Sequence, residues 1–158
     1  MKIGFGFDVH KMKEGKKFFL GGIEIPHTHG AEGHSDADVA IHAICDALLG
    51  AANLGDIGIH FPDNSPEFKN IDSKILLKRV CNLLAQNNYR IENIDTTICL
   101  QSPKIAGHIP AMKKALNSVM RIGEENISIK ATTNEKMGFV GREEGVTCYA
   151  VTLLTKGE

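Results

Sequence analysis

The sequence predicts an α+β fold: a single mixed sheet with helices packed on one face. Three observations carry that expectation. Segments of period-two and period-3.6 hydrophobicity follow one another in the order β, β (β), α, α, β, α, β, β. The first strand puts Ile3, Phe5, Phe7 and Val9 on one side and Gly4, Gly6, Asp8 and His10 on the other, and glycines on a strand face mark the close approach of another backbone. The last strand, Val146–Thr155, carries no charge on either face. Three helices cover only one face of such a sheet, so the other calls for a second copy of the chain. No repeat, low-complexity stretch or linker interrupts the pattern, and residues 1–158 read as one domain.

Taken in order, residues 1–10 alternate as a strand, and KFFLGGIEIP gives two apolar runs joined by Gly21-Gly22, a tight hairpin. Residues 27–35 read as loop. Ser35 suits a helix N-cap, with Asp36 and Asp38 in the first turn and Ala37, Ile41, Ile44, Leu48 and Ala51 as the apolar stripe, ending before Gly55. Residues 55–70 are rich in Gly, Pro, Asp and Asn and predict a long, functional loop. A second helix spans 72–87 on Ile75, Leu76, Val80, Leu83 and Leu84. Ile94, Thr96, Ile98 and Leu100 alternate as a strand. Pro110 opens a third helix that runs to Arg121 and stops at Gly123. Residues 127–131 and 146–155 are strands around the loop TTNEKMGFVGREEG. In the last strand Cys148, Ala150 and Leu154 point one way, Tyr149, Val151 and Leu153 the other.

Composition narrows the function. The net charge of -1 and the absence of Trp leave no basic, aromatic-rich surface for nucleic acid. No apolar run reaches membrane-spanning length, and MKIGFGFDVH lacks the apolar core of a signal peptide, so a cytoplasmic protein is expected. The four cysteines form no C-x-x-C pair and read as free thiols.

Chemistry concentrates in three places. Asp8 and His10 project from one strand face and can chelate one ion; alone, D-x-H is equally the polar end of a strand. His34, Asp38, His42 and Asp46 recur every four residues among small and apolar neighbours, which argues against a wholly solvated helix. His34 and His42 are about 12 Å apart along a helix and need not share an ion. His42 is the better third ligand for Asp8 and His10, a set that suits zinc or a similar divalent ion with one position open. His34, just before the N-cap, is placed to meet an anion at the helix end. Asp38 or Asp46 can orient an imidazole. The second place is residues 130–139: Thr132 and Thr133 offer hydroxyls to phosphate, Glu135 can hold a hard cation such as Mg²⁺ or Mn²⁺, and Arg142 can grip a phosphate. The third is Asp56 and Gly58 with Asp63, carboxylates in a Gly-Pro loop that suit polyol hydroxyls as well as ordinary turns. There is no Walker A loop, G-x-S-x-G or H-E-x-x-H, and Gly4-Phe5-Gly6 is no dinucleotide fingerprint.

GFDVH, GHSDADVAIHAICDALLGAANLGDIG, HFPD, SPK and KATTNEKMGFVGREEG stand in the order and spacing of one family. Over essentially all 158 residues the chain resembles the 2-C-methyl-D-erythritol 2,4-cyclodiphosphate synthases. The resemblance implies a homotrimer that buries the second sheet face and holds three active sites between neighbouring subunits. It implies the substrate 4-diphosphocytidyl-2-C-methyl-D-erythritol 2-phosphate, with CMP and the cyclic diphosphate as products. Metal ligands map onto Asp8, His10 and His42, with zinc the expected ion, and a second cation, Mg²⁺ or Mn²⁺, onto Glu135. Catalytic, transition-state-stabilising roles map onto His34 and Thr133. The erythritol moiety maps onto Asp56, Gly58 and Asp63, with Ser35, Ile57, Phe61, Pro62, Asn64 and Ser65 as further substrate-binding positions. The cytidine side maps onto Leu100, Gln101, Ser102, Pro103, Lys104, Ile105 and Ala106 with Thr132 and Asn134, and Phe139 and Arg142 nearby. The family is described as having an apolar channel along the trimer axis that can hold an isoprenoid diphosphate, and Phe5, Phe7 and Tyr149 are its candidate lining here. The chain departs from the family at Phe5, often His, and at Leu100 and Ser102, often Ala; backbone contacts survive both changes.

The implied reaction needs positioning and charge neutralisation more than a strong base, because the attacking phosphate is already an anion. Two rival readings use the same residues: a metal-dependent phosphohydrolase with water as nucleophile, and a non-catalytic oligomer that binds isoprenoid diphosphates.

Overall fold

The computed structural model describes residues 1–157. In chain order the elements are β1 (Lys2–Glu14), β2 (Phe18–Leu20), β3 (Ile23–Ile25), β4 (His29–Glu32), α1 (Val39–Ala52), α2 (Ile57–His60), α3 (Ser73–Gln86), β5 (Tyr89–Cys99), α4 (Ile109–Met120), β6 (Ile127–Thr132), α5 (Gly138–Gly141) and β7 (Gly145–Lys156). Five strands form one mixed sheet in the order β4-β1-β7-β5-β6, parallel only between β5 and β6. β2 and β3 pair only with each other, so the expected single sheet is accompanied by a separate hairpin.

The glycines of β1 set how α1 sits. A Cβ on Gly4 would lie 1.9 Å from the Ala47 carbonyl oxygen, and one on Gly6 2.0 Å from that of Ala43. Only glycine lets the helix backbone come so near the strand, as the sequence pattern predicts. α1 lies on β1 and β7, and α3 packs against it from behind and meets α4. α1 is therefore buried nearly all round, including Ala40, Ala43, Cys45 and Leu49, well beyond the expected stripe. On α3 the buried residues are Ser73, Leu76, Leu77, Val80 and Leu84, while Ile75, expected in the stripe, is exposed.

Several boundaries differ from the sequence expectation. α1 begins at Val39, because Ala37 takes a left-handed backbone (φ 59°) and Asp38 is the N-cap, its side chain accepting from Ile41 N; Ser35 is not the cap. β4 falls inside the expected 27–35 loop, since β1 runs on to Glu14 and offers it an edge. The 55–70 loop contains α2 and a short 3-10 turn over Pro66–Phe68. β5 starts at Tyr89, earlier than its alternation suggests, across an irregularity between Ile91 and Asn93.

The far face of the sheet is apolar and uncovered in the single chain. Ile3 is 74% exposed and Phe5 63%, and Phe7, Val9, Tyr149 and Val151 are exposed beside them. Cys148, Ala150 and Leu154 point into the core, as expected. No helix among the described residues is long and apolar enough to cross a membrane. The four cysteines are free; Cys45 and Cys148 are buried, Cys81 and Cys99 half-buried.

Candidate metal centre and substrate clefts

β1 and α1 together build the first site. The register places Asp8 opposite Cys148 and His10 opposite Val146, on the face that α1 covers. α1 brings His42 down onto the same spot. Asp8, His10 and His42 each turn one ligand atom inward, and these atoms lie within 4.8 Å of one another. Among the described residues this is the one such group of His, Cys, Asp and Glu side chains. His10 Nδ1 and His42 Nδ1 stand 3.0 Å and 3.1 Å from Asp8 Oδ2.

The trio fits a divalent metal. His10 Nδ1 is buried and without a hydrogen bond, despite its nearness to Asp8. A buried polar nitrogen left in that state is costly, and a cation satisfies it. Burial alone would raise the Asp8 carboxyl, but the two imidazoles outweigh burial and bring it to about 2. His42 is raised above its ordinary value: burial opposes its charge, and Asp8, with Asp38 and Asp36 behind it, outweighs burial. One carboxylate and two imidazoles with an open side suit zinc chemistry.

The trio lies on the wall of a cleft of about 480 Å³. The same cleft is lined by His34, Ser35, Ile57, Gly58, Phe61, Pro62 and Asp63, joined by Phe68 and Leu76, which the sequence did not single out. His34 is held by its Nε2, 3.0 Å from the Ser65 carbonyl oxygen. It lies outside α1, whose N-terminus is taken by Asp38, so its place in the cleft comes from the 33–38 loop and not from the helix end. The stripe His34-Asp38-His42-Asp46 is therefore not continuous on one helix.

Asp38 and Asp46 orient no imidazole. Asp38 is wholly buried and binds the β2–β3 turn, accepting from Gly21 N at 2.9 Å and Gly22 N at 2.6 Å. Burial pushes its carboxyl up despite those bonds. Asp46 accepts from Ile57 N at 2.8 Å and so ties α2 to α1; burial, with the Asp56 and Asp8 charges, raises it. Asp56 caps α2 through Ile59 N at 3.0 Å and is not among the residues that line the cleft. Asn64 and Ser65 stay in this loop, Ser65 N donating to Pro62 O at 3.1 Å.

A second cleft, of about 190 Å³, is lined by Leu100, Gln101, Pro103, Lys104, Ile105 and Ala106 against Ala131, Thr132 and Thr133. The loop after β6 is tied to it where Lys136 N donates to Gln101 Oε1 at 3.2 Å. Ser102 and Asn134 sit in the same two loops. Glu135 is 3.3 Å from Thr133 Oγ1 and has no second carboxylate or imidazole to share an ion with among the described residues. Phe139 lies instead beside Val9, His10 and Gly145, and Arg142 pairs with Glu144 at 3.0 Å and 3.1 Å.

The two clefts are separate within one chain. The registers align Val9 with Thr147, Thr147 with Cys99 and Cys99 with Thr132. Three strand spacings, about 14 Å, therefore divide the metal edge from Thr132.

Ser73 stands behind His42, with Asp36 bonded to it in turn. Their only signals are those of ordinary helix starts, which hide them.

Comparison with known proteins places this architecture. Residues 1–155 match the model of the YgbB family. A 2-C-methyl-D-erythritol 2,4-cyclodiphosphate synthase from Bacteroides fragilis is 60% identical over 156 residues, 99% of this chain and 98% of that protein. The bifunctional IspDF from Campylobacter jejuni is 39% identical with a TM-score of 0.95; the match covers 99% of this chain and 42% of that longer one. A CDP complex of IspF from Plasmodium falciparum is 36% identical with a TM-score of 0.87, covering 99% of this chain and 97% of that one.

Proposed function

The chain belongs to the YgbB family and to its 2-C-methyl-D-erythritol 2,4-cyclodiphosphate synthases, and from that premise we propose how its own residues carry out the cyclisation. The substrate is 4-diphosphocytidyl-2-C-methyl-D-erythritol 2-phosphate. An oxygen of the 2-phosphate attacks the β-phosphorus, the bond from that phosphorus to the bridging oxygen breaks, and CMP leaves with the bridging oxygen and its electron pair. No atom is oxidised or reduced. The observation that carries this reading is the Asp8/His10/His42 group set in the wall of the cleft that is also lined by His34, Ile57, Gly58 and Asp63.

Asp8, His10 and His42 would hold a divalent ion, zinc by their chemistry, which when bound neutralises diphosphate charge as a Lewis acid. Asp56, Gly58 and Asp63 hold the erythritol hydroxyls and so bring the 2-phosphate within reach of the diphosphate. His34 lies against the transferring group on one side, and Thr133 donates to it from the other. Residues 100–106 with Thr132 and Asn134 hold the cytidine end; a relative of this chain is known in complex with CDP. Glu135 would offer one carboxylate to a Mg²⁺ or Mn²⁺ ion, which when bound would neutralise phosphate charge.

The separation of the two clefts supports a site shared between subunits, in which the metal half of one copy faces the nucleotide half of the next. The uncovered apolar face of β1 and β7 supports a closed homotrimer. Phe5, Phe7 and Tyr149, with ring centroids 6.4 Å and 5.0 Å from Tyr149, would then line an axial channel of the right chemistry for an isoprenoid diphosphate tail. The free thiols support a reducing, cytoplasmic setting.

The test is incubation with the cytidyl substrate and divalent metal, followed by ³¹P NMR. CMP with a cyclic diphosphate is expected. Linear phosphates would indicate a phosphohydrolase, and binding without turnover a carrier.

A further inference from the structure

Behind His42, on the side away from Asp8, lies a hydrogen-bond chain that the reaction as described does not use. His42 Nε2 is 3.0 Å from Ser73 Oγ and 3.1 Å from Ser35 Oγ. Ser73 is wholly buried at the start of α3. Its hydroxyl donates to Asp36 Oδ1, and its backbone N–H donates to Asp36 Oδ2 at 3.0 Å. Asp36 is itself fixed, its N–H donating to the Ile71 carbonyl at 3.0 Å.

The chain has a direction. A carboxylate only accepts, and a hydroxyl has a single hydrogen. Ser73 gives that hydrogen to Asp36 and so turns only lone pairs toward His42. Nε2 must then carry the ring proton and donate to Ser73. Ser35 Oγ, which accepts from Ala37 N at 3.1 Å, can accept from the same Nε2–H. A neutral His42 held this way points the lone pair of Nδ1 at Asp8 and His10, where the ligand atoms converge. The opposite tautomer would leave two lone pairs facing each other between Nε2 and Ser73 in a buried space.

We infer that Asp36 and Ser73 are positioning residues that fix the tautomer and ring plane of His42, making Nδ1 its metal-binding nitrogen. This rests on Asp8, His10 and His42 being the metal site. Neither residue touches substrate. The chain joins the 33–38 loop and the start of α3 to the ligand on α1, so the metal geometry depends on how those segments pack. A purely structural staple would use the same Asp36–Ser73 bonds but would leave the ligand nitrogen indifferent to them.

The experiment compares Zn²⁺ affinity, by competition with a chromophoric chelator, in the full-length wild type, Ser73→Ala and Asp36→Asn. Long-range ¹H–¹⁵N spectra of histidine-labelled, zinc-loaded wild type read the tautomer directly. Ser73→Ala leaves Nε2–H only Ser35 as an acceptor, and a loss of Zn²⁺ affinity at the lower end of about 10–100-fold is expected. In Asp36→Asn an amide donor can turn the Ser73 hydroxyl toward Nε2, and a loss in the same range is expected. Zinc-loaded wild type is expected to show His42 protonated on Nε2 and metallated on Nδ1. Wild-type affinity in either variant while folded, or a wild-type spectrum with the proton on Nδ1, overturns the inference. The spectrum decides the matter if neither variant folds. Failure of wild type to bind Zn²⁺ at all would instead overturn the metal site on which the inference rests.

Discussion

Asp8 takes its character from two imidazoles. Its carboxyl is brought from 3.8 to about 2 against the effect of burial, which favours the folded state by about 2 kcal/mol while Asp8 is ionised. That contribution is present above about pH 4 and is lost as pH falls through about 2. His42 is raised, so its contribution is present below about pH 6.5 and is lost as pH rises through the raised value. Both shifts describe one interaction and count once. Metal-free protein is therefore expected to have its highest Tm between about pH 4 and 6.5, with a fall on either side. Metal displaces the Nδ1 proton of His42, so its affinity should rise with pH until His42 is neutral; a pH-independent affinity would contradict this. His42→Ala should remove tightly bound metal, read by elemental analysis of the purified protein, and unchanged metal content would contradict the ligand set. The gathering of Asp8, His10 and His42 was legible from Asp8-x-His10 and a histidine at helical spacing. Asp36 and Ser73 were not, because an acceptor behind a ligand carries no periodic signature and Asp-Ser before a helix reads as capping.

Elements explain why the site is rigid. β1 and α1 meet backbone to backbone, and the ligands of both are fixed by that contact. Gly6→Ala would drive a Cβ to 2.0 Å from the Ala43 carbonyl oxygen, a backbone atom one turn before Ala47 and next to His42. Overpacking of this kind costs about 1–3 kcal/mol or more, so a Tm lower by several degrees is expected, with weaker metal binding in the protein that remains folded. The alternation of glycine with Asp8 and His10 made this packing predictable. Other features were hidden. The α1 start moved from Ser35 to Val39 because a left-handed Ala37 lets Asp38 reach both the helix and the Gly21-Gly22 turn, a tertiary use of a residue that local capping rules cannot foresee. Asp46, expected to orient an imidazole, holds α2 instead. Asp46→Ala should loosen the Asp56–Gly58 turn and raise KM more than it lowers kcat; an unchanged KM would argue against that tie. Asp56→Ala should weaken polyol positioning, and a normal rate and KM would count against its role.

At the scale of the molecule, one chain carries two separate clefts and one uncovered apolar face. The uncharged run 146–155 made an apolar second face legible in the sequence, but the division into two clefts was not, because it depends on the strand order β1-β7-β5-β6 and on register. In the proposed assembly, catalysis uses the metal half of one subunit and the nucleotide half of its neighbour. Subunit complementation tests it most directly. His42→Ala chains and Thr133→Ala/Glu135→Ala chains are each purified, mixed, unfolded and refolded together, and CMP release is measured under single-turnover conditions. Random assortment into closed rings should give about one quarter of the wild-type sites, each with an intact metal half opposite an intact nucleotide half. Activity no greater than the sum of the two separate variants, from mixed oligomers that have formed, would place both halves within a single chain and contradict the account.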